Sequence, residues 1–164
     1  MKKFILALLL LIPAVAFSQQ KIAVVNTQEI MTQLPDFKAA QKQLEEKGKK
    51  YDEDYANMQK EIEKKSQAYI ADKDKLNDVL KKTREQEIQD MLARLEQSKQ
   101  LMAQDMQNEQ EKLFAPIQKK IYDALKKVGD ENGYAYIMES QIMHYQGPGA
   151  IDCTAKVKAK LGLK

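Results

Sequence analysis

Between Phe37 and Leu113 the chain repeats apolar side chains in heptads within a background of Lys, Glu, Gln and Asp. Such a narrow apolar seam on a charged rod restricts the middle of the molecule to long, thinly packed helix. Phe37, Leu44, Tyr51 and Met58 form one series, and Gln41, Gly48, Tyr55, Ile62, Tyr69 and Leu76 form its partner, with Gln41 and Gly48 as misses. At a rise of about 1.5 Å per residue, Phe37 to Tyr69 alone spans about 50 Å.

The second half of the stretch changes phase. Ile88, Leu95 and Met102 make one series, and Leu92, Met106 and Leu113 the other, interrupted by Lys99. The shift is two positions modulo seven, which neither a three- nor a four-residue insertion in a continuous coiled coil produces. A turn between Ile70 and Leu80 explains it, with Asp72, Asp74, Asn77 and Asp78 as the breakers. No Gly or Pro marks that turn, so one unbroken helix stays open beside the hairpin.

Short strand-like runs flank the helical insert: Lys21 to Val25 and Tyr134 to Met138, with Ala150 to Cys153 a third candidate. Asn26, with Glu29 three residues on, reads as a capping-box-like helix start. Pro35 either ends that short helix or begins the next, and Asp36 suits a helix N-terminus. Pro116 kinks the returning helix, because Ile117, Ile121, Leu125 and Val128 carry its apolar face onward until Gly129 or Gly133 ends it. The fold class expected is mainly α with a small β body (α+β), a helical hairpin arm projecting from that body. The boundaries are 19–36 for the first body segment, 37–112 for the arm and 113–164 for the returning body segment, which closes with a short helix after Thr154.

Residues 1–18 read as a signal peptide: Lys2 and Lys3, an apolar run from Phe4 to Phe17, and small residues at Ala16 and Ser18. The run is short for a membrane span. Without Lys2 and Lys3 the 27 basic residues fall to 25 against 24 acidic ones, too even a balance for unspecific nucleic-acid binding. Cys153, alone, is either buried or paired between chains.

Catalytic patterns are missing. His144 is the single His and Ser66, Ser98 and Ser140 lie in no nucleophile elbow, while the glycines form no phosphate loop. No enzyme, metal or cofactor is expected. Two features remain. Tyr51, Tyr55, Met58, Ile62 and Tyr69 give the seam adaptable apolar chemistry in place of a Leu zipper. From Lys64 to Arg84, Lys64, Lys65, Lys73, Lys75, Lys81, Lys82 and Arg84 outnumber Asp72, Asp74 and Asp78, so the far end of the arm is basic. Such an end is either a solvated helix terminus or a surface for acidic clients or an anionic membrane.

These parts together resemble the Skp (OmpH-like) family of periplasmic chaperones for outer-membrane proteins. The resemblance rests on Lys21-Ile-Ala-Val-Val-Asn-Thr-Gln-Glu-Ile30, Leu34-Pro-Asp-Phe-Lys-Ala-Ala-Gln-Lys-Gln-Leu44, Phe114-Ala-Pro-Ile117, Gly133-Tyr-Ala-Tyr-Ile137 and Ile151-Asp-Cys-Thr154, in that order around a helical insert. It implies a periplasmic homotrimer with a β-barrel-like body. Three arms would enclose a cavity that holds unfolded outer-membrane proteins without ATP. The near-neutral charge departs from strongly basic family members, and Cys153 stands where an aliphatic residue would be unsurprising. The competing expectation is a coiled-coil scaffold or spacer that binds one defined envelope partner.

Overall fold

A computed structural model describes residues 20–163; the expected signal peptide lies outside the described residues. The elements run β1 (Lys21–Val25), α1 (Thr27–Gln33), α2 (Pro35–Asp72), a 3-10 turn at Lys73–Lys75, α3 (Asp78–Asn132), β2 (Tyr134–Glu139), a second 3-10 turn at Ser140–Ile142, β3 (Ile151–Asp152) and α4 (Thr154–Lys160).

Local chemistry sets these boundaries. Asn26 caps α1, its side-chain oxygen accepting from the Glu29 N–H at 2.9 Å. The reciprocal half of a capping box is absent, because the Asn26 N–H donates to Thr154 Oγ1 at 3.0 Å and the Glu29 carboxylate pairs with Lys158. Pro35 occupies the first turn of α2, where its missing N–H costs nothing. Asn77 caps α3, accepting from Leu80 N–H at 2.9 Å, and Gly133 ends that helix at φ 64°, a left-handed conformation suited to glycine. Pro116 sits within α3, which continues past it.

The chain therefore turns back between Asp72 and Asp78, within the stretch where the heptad phase shifts, and the single unbroken helix is ruled out. Helices α2 and α3, of 38 and 55 residues, make the hairpin.

At its base the sheet has the order β2-β1-β3, and both pairings are parallel. Ala23 stands opposite Ile137 and Ile151, and Val24 opposite Met138 and Asp152. One sheet face carries Ala23 and Val25 into a core completed by Ile30, Leu34, Phe37, Ile121, Val128 and Val157. Cys153 belongs to that core and is fully buried, and burial raises its thiol pKa. The third strand is shorter than the sequence suggests: Cys153 extends it only through its N–H, which donates to the Val24 carbonyl at 2.9 Å.

The opposite face of the sheet is only partly covered within the chain: Val24 is buried there, but its neighbours are not. Ile22, Tyr136 and Met138 lie there at 47%, 60% and 39% exposure, and the following segment adds Ile142 and Tyr145 at 72% and 77%. Contiguous exposed apolar groups of this kind mark a surface that meets something else.

Candidate client-binding arm

The arm begins on firm packing and loses it with distance from the body. Phe37 and Phe114 stack at its base with ring centroids 5.5 Å apart, next to an ion pair between Asp36 and Lys120 at 2.8 Å. Beyond Ala40 on α2 and before Ile117 on α3, Ile62 is the one buried residue. Its neighbours in the seam, including Tyr51, Tyr55, Met58, Tyr69, Met91, Leu95, Met102 and Met106, are half-buried.

Polar ties hold the two helices where apolar packing is thin. Lys47 reaches Asp105 at 2.5 Å and Glu109 at 3.4 Å, and the Tyr51 hydroxyl donates to Asp105. Nearer the tip, Lys65 pairs with Glu87 and the Tyr69 hydroxyl donates to Glu85. The hydrogen bonds from Lys47 and then Tyr51 hold the Asp105 carboxyl below its usual range, and Lys65 does the same for Glu87. The acceptor Glu85 pushes the Tyr69 phenol up to about 12, since ionising it would destroy the bond and place two negative charges together.

These ties also set the register of α3. Met91, Ser98 and Asp105, not Leu92 and Lys99, alternate with Ile88, Leu95 and Met102 on the half-buried stripe; Met106 is half-buried beside Asp105, and Leu92 stands 43% exposed. Apolar count alone favours the other register. The lysines of α2 decide it by drawing Glu87, Asp105 and Glu109 toward the partner helix.

The five seam candidates are thus separated by the structure. Tyr51 and Tyr55 line an open groove with Gly48, Met102, Ala103 and Met106. Met58 lines a second groove with Met91, Leu95 and charged rims, and Tyr69 a third with Leu76 and Ile88. Ile62, the most buried of the five at 8% exposure, lines the same groove as Met58 from between the helices.

The basic tip is partly neutralised, by Glu87 from outside the window that defines it and by Asp72 from within. Glu87 takes both Lys65 and Arg84, the latter at 3.2 Å, and Asp72 takes Lys75 at 3.2 Å. Lys73 lies over the Tyr69 ring with its nitrogen 5.6 Å from the centroid. Among the described residues Lys64, Lys81 and Lys82 make no ion pair. Sequence reasoning missed the tip's apolar component: Ile70 at 72%, Val79 at 75% and Leu80 at 46% exposure flank the turn. Ile70 and Leu80 fall outside every heptad series, and that out-of-phase placement is the signal that could have found them.

The family pattern of the outer membrane protein (OmpH-like) group matches residues 21–161. The chain belongs to the OmpH-like family. A solved OmpH-like chain from Caulobacter crescentus CB15, described as a candidate outer membrane chaperone, superposes with a TM-score of 0.75 at 12% identity. The overlap covers 87% of this chain and 83% of that one. At that identity the likeness shows a shared fold, mostly helical with a small three-stranded sheet. No curated protein matches this OmpH-like sequence. Among its described residues no helix is long and apolar enough to cross a membrane, and no group of three or more His, Cys, Asp or Glu side chains could hold a metal.

Proposed function

We propose that this OmpH-like protein is an ATP-independent holdase of the periplasm that shelters unfolded outer-membrane β-barrel proteins from aggregation. The observation that carries the reading is the arm's half-open seam: Tyr and Met side chains stay partly exposed over most of its length. Many contacts of at most about 1 kcal/mol each, apolar and ionic, bind an unfolded chain firmly while fixing no single conformation. Binding the unfolded form opposes aggregation by mass action and needs no nucleotide.

The holdase works as a homotrimer, with 19–36 and 113–164 as body, 37–112 as arm and 1–18 as the signal for export. Support comes from the partly uncovered sheet face bearing Ile22, Tyr136 and Met138, which three copies would bury in a shared barrel-like centre. Tyr51, Tyr55, Met58 and Tyr69 face the enclosed space. Light scattering of a diluted, denatured outer-membrane barrel tests this: the purified protein at one trimer per client suppresses the signal, and undiminished scattering sinks the proposal. A monomer by mass measurement in solution would remove the cavity from it.

A scaffold with one defined partner is the competing reading, favoured by the ties from Lys47, Tyr51 and Lys65 that fasten the hairpin. Pull-down from an envelope extract separates them, because a holdase captures many barrel clients and a scaffold captures one stoichiometric protein. The tip adds electrostatic attraction for acidic clients or an anionic membrane surface. Lys73→Glu combined with Lys81→Glu weakens client binding mainly at low salt, and equal loss at high salt would assign these lysines a structural role.

A further inference from the structure

Gly48 occupies a seam position where the heptad calls for a large apolar side chain, and the structure leaves that place empty. A Cβ built on Gly48 meets no atom within 4 Å. From α3, Ala103 lines the same groove, so each helix contributes one small residue to a space of about 390 Å³. Tyr51 and Tyr55 wall one side, and Met102 and Met106 the other. The Tyr51 wall is fixed in place: its hydroxyl is tied to Asp105, and the Lys47 nitrogen lies 5.8 Å from its ring centroid. Asp52 and Lys99 are its charged lining residues, one of each sign and on different helices.

Resting on the holdase reading, we infer that the Gly48 groove is a seat for single aromatic side chains of an unfolded barrel strand. Its charges cancel, so it favours a neutral occupant. Its walls offer what an aromatic ring prefers: other rings for edge or offset contact, and thioether sulfurs. Strands of outer-membrane barrels alternate apolar and polar residues and carry aromatics near both membrane interfaces. An extended segment of that kind places one ring in the groove and its polar neighbours at the Asp52 and Lys99 rims.

Fluorescence anisotropy with two labelled ten-residue strand peptides tests this, one with Phe and one with Leu at the alternate apolar positions. The unmodified protein is expected to bind the Phe peptide at least about threefold tighter, in line with aromatic contacts beyond simple burial. Gly48→Leu fills the groove from within, improves helix propensity and so keeps or raises the thermal midpoint. It is expected to bring the Phe-to-Leu ratio to about one while leaving Leu-peptide affinity within about twofold. Ala103→Leu fills the same space from the facing helix and carries the test if Gly48→Leu loses helical circular dichroism. A ratio of one in the unmodified protein, or a ratio that survives either filled variant in folded form, overturns the inference. Suppressed barrel aggregation alongside a ratio of one removes the groove alone, whereas unsuppressed aggregation removes the holdase reading beneath it.

Discussion

Body and arm are built under opposite rules. The body completely buries Ile30, Leu34, Val128, Val157 and Cys153 within three short strands and the ends of four helices. Beyond Phe37 and Ala40 at its base, the arm buries Ile62 and otherwise relies on ties such as Lys47–Asp105 and Lys65–Glu87. Exposed ion pairs contribute little. The arm therefore owes its order to the packed core at its base and to helix continuity, and its own seam stays half-open.

Substitution in the body should do the most damage. Leu34→Ala empties a site with no solvent contact and is expected to cost about 3–5 kcal/mol in denaturant unfolding, with the whole molecule affected. Ile62→Ala should cost about 2 kcal/mol, the low end for such a truncation because neighbouring side chains can sag into the gap. Hydrogen exchange should report faster opening around 58–66 and 84–95 with the body unchanged; opening of the body as well would erase the contrast between the regions. Asn77→Ala removes the α3 cap and is expected to cost about 1 kcal/mol, seen as fraying at the tip alone.

Acid should also act on the arm first. Asp105 and Glu87 have depressed folded values, so their contribution is present above the ordinary carboxylate range of about pH 4 and is lost as pH falls through the depressed values. An acid titration by circular dichroism should show a low-pH loss of arm helix that Asp105→Asn blunts. The smallest effect is at the opposite extreme. Tyr69, raised to about 12, keeps its stabilising proton through the ordinary tyrosine range near pH 10, and its contribution fades only as pH climbs to about 12. Absorbance near 295 nm should lose its last-titrating phenol in Tyr69→Phe.

Much of this was legible because it is local. Asn26, Pro35, Asn77 and Gly133 act within a few residues of themselves, so the helix ends and the turn follow from the chain. The parallel sheet with β1 at its centre was not, since nothing near Ala23 announces partners at Ile137 and Ile151. The seam of α3 was read one position off at Leu92 because a count of apolar residues ignores what waits on the facing helix. The charge of the tip was overestimated for a similar reason: Glu87, three residues past Arg84, satisfies two of its cations.

The order of the sheet also governs when the body can come into being. The first strand made during synthesis, Lys21–Val25, takes as neighbours segments that begin at Tyr134 and Ile151. Such distant pairing is slow, whereas a hairpin of adjacent helices zips quickly from its own turn. The arm is thus complete while its foundation is still open, and the segments that begin at Tyr134 and Ile151 are the ones that shut it. A nascent molecule of this kind spends its early life as a tool without a handle.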